Sequence, residues 1–178
     1  MQLANDGETA TQSSGASTVR LRLIQIPVEH SYVALGLAVN HLMVQPAFAN
    51  LRFGDWSRIL VGQINRGHYY FAVDENKQIQ GFLGWALTTE DKAEAWRAGR
   101  RALSCEDSRD GDCVIINAWS ASSPEAGRLL RDAVRRVGLG KQAVYFKRHY
   151  KDGTRRPMRL NANAFVERHL ERNAESAG

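Results

Sequence analysis

Long apolar runs are missing from this 178-residue chain. No segment approaches the roughly 20 consecutive apolar residues that a membrane span requires. The first residues carry neither a basic region nor an apolar stretch, so no secretory signal is expected and the chain is expected in the cytoplasm. Cysteine is scarce: there are two, Cys105 and Cys113, and they do not form a Cys-x-x-Cys pair. The five histidines are scattered, so no metal-ligand spacing is present and no bound metal is expected. In a cytoplasmic chain both cysteines are free thiols, the alternative being a disulfide across the acidic loop Glu106–Asp112.

What is present fits one globular domain. Hydrophobic residues make up 43% of the chain, with four tryptophans, enough for a core without disulfides or metal. The net charge of +5 is unevenly spread: between Arg128 and Arg159 eleven basic residues face two acidic ones, a local +9. The remainder of the chain is therefore acidic. Such asymmetry suggests an acidic partner, whether nucleic acid, an anionic membrane surface or an acidic carrier protein, or else a solvated basic face. Nucleic acid is the least favoured, because few aromatic residues are interleaved with the charges.

The chain is organised around two apolar runs, Tyr69–Val73 and Gln78–Thr89, joined by Asp74–Lys77. Aromatic and β-branched residues around a short polar turn predict a β-hairpin. The second run is apolar on both registers, with Ile79, Leu83 and Trp85 on one and Phe82 and Ala86 on the other, as a central strand requires. Gly81 and Gly84 within it mark either crowded packing or a cleft where a ligand approaches.

Around this hairpin, residues 1–18 are expected to form a disordered tail, 19–160 the folded domain and 161–178 a helix or tail. Val19–Pro27 reads as an edge strand or extended arm. A helix begins near Ser31 with Tyr32, Leu35, Val39, Leu42 and Met43 on one face, ended or broken by Pro46. A second is capped by Asp55, buries Trp56, Ile59, Leu60 and Ile64, and stops at Gly67. A third spans Glu90–Leu103, with Trp96 outward or over the sheet. Val114–Trp119 is a buried strand, Ser123–Pro124 opens a helix with arginines along one side, and Gln142–Arg148 is a further strand. This order predicts an α/β fold with a central mixed, mostly antiparallel sheet flanked by helices, as in GNAT acyltransferases.

Several stretches go further. Ala34–Val39, Gln45-Pro46, Gly81-Phe82-Leu83-Gly84-Trp85-Ala86-Leu87-Thr88, Gly111-Asp112, Leu129-Leu130-Arg131 and Val144–Arg148 occur in one order between about Ala34 and Leu160. In this the chain resembles the RTX-toxin-activating lysine acyltransferases, the GNAT-like haemolysin C-protein type. The resemblance implies transfer of a fatty acyl group from acyl carrier protein, a phosphopantetheine thioester and not a bound cofactor, to an internal lysine of a co-produced protein or peptide. Two family residues are replaced. The Ser-Pro-x-His of the family reads Gln45-Pro46-Ala47-Phe48 here, and an aspartate of the family is Asn117. The alternative is a catalytically silent homologue that keeps the partner-binding face, and a homodimer is left open.

The candidate site follows. His41 lies seven residues before Phe48, two turns along one face if the helix is continuous, and is a candidate replacement base beside the role of a plain helix histidine. His68, at the mouth of the hairpin, is a second. Asn117 can donate to an oxyanion or satisfy backbone groups. Ser122 and Ser123 start a helix suited to a phosphate or simply cap it. Arg128 and Arg131 can steer an acidic carrier. Trp85, together with Phe48, Phe82 and Trp119, lines an acyl cleft or packs the core.

Overall fold

The computed structural model describes residues 20–150 and 152–162. The tail expected at 1–18 and the segment beyond 162 lie outside the described residues. Six strands form one sheet in chain order: β1 (Arg22–Ile24), β2 (Tyr69–Val73), β3 (Ile79–Thr88), β4 (Cys113–Ala121), β5 (Ala143–His149) and β6 (Arg155–Asn161). Every neighbouring pair is antiparallel except β4 and β5, which run parallel. The expected mixed, mostly antiparallel sheet flanked by helices is therefore present. A parallel pair needs a crossover, and helix α5 (Pro124–Val137) supplies it.

The sheet is covered on both faces, which is why β3 is apolar on both registers. On one face α1 (Ser31–Leu42), α2 (Pro46–Ala49) and α3 (Phe53–Asn65) pack over Tyr69, Phe71, Phe82 and Ala118. Further along, α4 (Glu90–Arg97) covers Ala86, Ile115 and Tyr145. On the opposite face α5 buries Ala126, Leu130 and Ala133 against Ala72, Leu83, Val114 and Val144. Each such fully buried large side chain contributes about 1.5–3 kcal/mol. Ser123 caps α5, its hydroxyl accepting the Ala126 N–H at 3.1 Å, with Pro124 in the first turn.

Several expectations are corrected by packing. On α1 the buried stripe is Ala34, Ala38, His41 and Leu42, while Tyr32 and Met43 are exposed. Small residues let α1 approach the sheet closely, so the large ones turn to solvent. The helix ends at Leu42, and Gln45 is extended before the separate turn of α2, so His41 and Phe48 do not share one continuous face. In α3 the interior position is Gln63 and not Ile59, which is exposed. Asp55 does not cap that helix; it lies inside the first turn and pairs with Arg58 at 3.1 Å. Helix α4 stops at Arg97 because Gly99 takes a left-handed turn, φ 72°. Ile79 joins the α1/α3 face rather than that of Leu83 and Trp85, since the β2–β3 register slips by one residue between Ala72 and Val73. Strand β6, which the sequence pattern did not mark, completes the sheet edge. Both cysteines are free, Cys105 exposed and Cys113 buried.

Candidate active site

The parallel ladder between β4 and β5 stops short. It runs from Cys113↔Ala143 to Ile116↔Phe146. Beyond it β4 stays with β3 as far as Ala121↔Gly81, and β5 stays with β6 as far as His149↔Arg155. The sheet thus divides into two arms. At the point of division β4 carries a bulge: Gly84 opposes Ala118 and Trp85 opposes Ile116, leaving Asn117 as the extra residue. A bulged residue drops out of the ladder and re-aims its neighbours. Asn117 therefore stands where the strands part.

A polar strip runs beside it on the α1/α3 face. Gln63 of α3, fully buried, donates its side-chain N–H to Oδ1 of Asn117. Three residues on, Ser120 Oγ lies 3.1 Å from Nε2 of His41, both side chains buried. Burial lowers the pKa of His41 below its ordinary 6.5, because an imidazolium there would be desolvated. At neutral pH the ring is uncharged and able to accept a proton. Oε1 of Gln63 is buried without a partner among the described residues. Gly84 accommodates this amide, since a Cβ there would overlap it. A Cβ at Gly81 would meet the carbonyl oxygen of Ser120 at 2.9 Å and Leu130 at 3.0 Å. The two glycines of β3 are thus explained by side chains and backbone of the chain itself. The cleft expected along the glycine-bearing strand is filled, and the opening lies one strand away.

The start of α5 follows directly from β4. Its amides are mostly engaged: Ser122 N–H donates to the Gln80 carbonyl at 2.8 Å and Ala126 N–H to Ser123. The Glu125 carboxylate is held below the usual range by its own backbone N–H and by Ser123 and Arg128. An arriving phosphate has to compete with that carboxylate. Arg128 pairs with Glu125 at 2.9 Å and Arg135 with Asp132 at 2.5 Å, whereas Arg131 has no ion pair among the described residues.

Other predicted residues lie apart from the strip. Phe48 packs edge-on against Trp56, ring centroids 5.8 Å apart, in the α1/α3 core. Phe82 is fully buried between Tyr69 and Phe71. Trp85 is nearly buried on the α5 face, stacked on His68 at 5.7 Å and tilted against Tyr70. His68 thus belongs to a different place, a cavity of about 440 Å³ beyond the end of α3. The structure brings His41 and Asn117 to one face of β4 and leaves His68 and Phe48 elsewhere. Sequence reasoning missed Ser120 and Gln63. Ser120 was visible as a polar residue interrupting a buried strand, and Gln63 as a polar position among Trp56, Leu60 and Ile64 of the buried stripe.

Among the described residues, no helix is long and apolar enough to cross a membrane, and no group of His, Cys, Asp or Glu is arranged to hold a metal ion. No protein-family model matches the chain, and no curated protein matches it in sequence. Among solved structures it is similar to an acetyltransferase of the GNAT family from Staphylococcus aureus Mu50. The two share 11% identity and a TM-score of 0.45, over 73% of this chain and 75% of that one. That likeness is too slight to carry an argument about residues or chemistry.

Proposed function

We propose that this protein transfers an acyl group from a carrier-bound thioester to the ε-amine of a lysine in a protein or peptide. The observation that carries the reading is the parting of parallel β4 and β5 at the Asn117 bulge. A narrow thioester arm fits between the separated strands and needs only backbone hydrogen bonds on either side. The donor is read as a carrier protein because of the basic segment that begins with α5: Arg131 and its neighbours favour encounter with an acidic surface. The self-satisfied helix start, with Glu125 in place, speaks against a donor held mainly by its phosphates.

In this reading the lysine amine attacks the thioester carbonyl carbon at the bulge. Its proton passes through the Ser120 hydroxyl to Nε2 of His41, which burial keeps neutral. The oxyanion is held by the backbone N–H groups that the bulge leaves out of the ladder. The carbon–sulfur bond then breaks, and the thiolate leaves with the proton from the imidazolium. Base catalysis of this kind contributes ~10²- to 10⁴-fold, and alignment of the two substrates supplies much of the remainder.

A second reading, a binding module without turnover, is favoured by one observation. Phe48, where the resembling family has histidine, is a packed core residue. One experiment separates the two. Incubation with acyl-loaded carrier protein and the product of the neighbouring gene adds an acyl mass to a lysine under the first reading. Carrier binding with an unchanged acceptor mass supports the second and overturns the first.

A further inference from the structure

The cavity beyond α3 has a composition of its own. Gly62, Asn65, Arg66, His68, Cys105 and Arg109 line about 440 Å³. Two guanidinium groups and an imidazole face it, and no carboxylate does. The acidic loop alongside does not compensate for them. Asp107 is committed to Lys92 at 2.7 Å and Arg101 at 2.8 Å, and Asp110 accepts the N–H of Gly111.

The carbonyls at the end of α3 are committed as well: those of Gly62, Gln63 and Ile64 accept N–H groups of Arg66, His68 and Gly67. The positive side chains therefore gather around a space with nothing of opposite sign, an arrangement that raises the local potential for anions. Two polar atoms here remain unanswered. Nε of Arg66 and Nδ1 of His68 are buried without a hydrogen-bond partner among the described residues. A buried donor with no acceptor is costly, most of all on a charged group. Gly62 permits the arrangement: a Cβ there would lie 2.9 Å from Nη1 of Arg66, so the guanidinium folds back over the helix only above glycine.

We propose that this cavity is a binding site for a small tetrahedral oxyanion of the phosphate class, separate from the opening between β4 and β5. Arg66 and Arg109 neutralise its charge, and charge-assisted hydrogen bonds from planar guanidinium forks suit such oxygens. His68 is uncharged in the empty cavity, its pKa pushed down to about 4 by burial and by the Arg66 and Lys141 charges. It offers the anion a ring N–H, and the anion's charge in turn favours the protonated ring. Cys105 sits at the rim, its Sγ accepting from Nη1 of Arg66 at 3.3 Å, and serves as a reporter.

The test uses the full chain and inorganic phosphate. Alkylation of Cys105 by iodoacetamide is followed in phosphate and in chloride at equal ionic strength, with the His68 ring resonances recorded in parallel. Phosphate slows alkylation roughly tenfold once its concentration is about ten times the dissociation constant, and moves the His68 titration upward. Arg109→Gln, on a loop, and Arg66→Gln each weaken that protection while the melting temperature checks the fold. Equal alkylation rates in phosphate and chloride, with unmoved His68 resonances, overturn the proposal. So does protection by phosphopantetheine but not by inorganic phosphate, which assigns the cavity to the acyl donor. Acyl transfer onto lysine is measured separately, so loss of that activity leaves this result untouched.

Discussion

Nε2 of His41 stands 3.1 Å from the hydroxyl oxygen of Ser120, joining α1 to the arm of β4 beyond its bulge. Two consequences are measurable. His41→Ala and Ser120→Ala each lower kcat for acyl transfer by ~10²- to 10⁴-fold, with a smaller change in KM. The rate requires the neutral ring, and burial lowers the pKa of His41, so the acid limb of the pH–rate profile has its midpoint below 6.5 and the rate is level through neutrality. A limb centred above 6.5, or one that survives in His41→Ala, removes His41 as the base.

Gln63 and Gly84 share one volume. Gly84→Ala forces a methyl into the Gln63 amide and costs ~1–3 kcal/mol, as overpacking does. Gln63→Ala strands Asn117 and costs a similar amount by removing a buried hydrogen bond. The double variant is less destabilised than the sum, because the truncated side chain makes room for the methyl. Urea titration of the four proteins measures the coupling.

Phe48→His, which restores the histidine of the resembling family, gives no gain in transfer rate and lowers stability. The ring at this position packs on Trp56 in the core, remote from the polar strip in packing, and an imidazole there is desolvated. Thermal unfolding and an acyl-transfer assay on the same preparation check both halves. A rate increase would place the reacting centre beside α2 instead of β4.

Arg131→Glu slows association with acyl carrier protein and steepens no other step. Its effect is largest at low salt and fades as ionic strength rises, while kcat at saturating carrier is unchanged. Stopped-flow association at several salt concentrations is the measurement. An effect independent of salt would make the residue structural.

Asp107 gives the folded state a dependence on pH. Its carboxylate is held well below the usual range, first by its hydrogen bond to Lys92 and then by Ser104. A folded pKa below the unfolded one contributes stability above the ordinary value of 3.8, and that contribution is lost as pH falls through the folded value. Asp107→Asn therefore lowers Tm at pH 7, and the gap to the parent protein narrows as the pH is taken below 3.8. A gap constant with pH would mean that packing, and not charge, is what the aspartate supplies.

The hairpin of β2 and β3, the crossover helix with its Ser123 cap, and the free thiols were legible because each depends on neighbours close in sequence. Turn chemistry, capping and period-two alternation are local signals. The positions of His41, Gln63 and Ser120 were not legible in the same way. On α1 the pattern pointed to Tyr32 and Met43, yet the close approach to the sheet selected Ala34 and Ala38 and carried His41 inward with them. The Asn117 bulge was hidden because one inserted residue leaves the composition of a strand unchanged and only its partner reveals the slip. Strand β6 reads as basic residues around a proline, and an edge strand exposed along most of its length lacks the apolar alternation that marks interior ones.

The four register pairs between β4 and β5 are the whole backbone seam that joins the β5–β6 hairpin to the rest of the sheet. Side chains latch it from below: the Tyr145 hydroxyl donates to Glu94 at 3.0 Å and accepts from Arg159, which also holds Glu90 at 2.9 Å. A hairpin hung on so short a hem behaves as a lever with its fulcrum at Ile116 and Phe146. Whatever wedges between the free ends works with the full length of that lever, and the tyrosine clasp on α4 sets how far it swings.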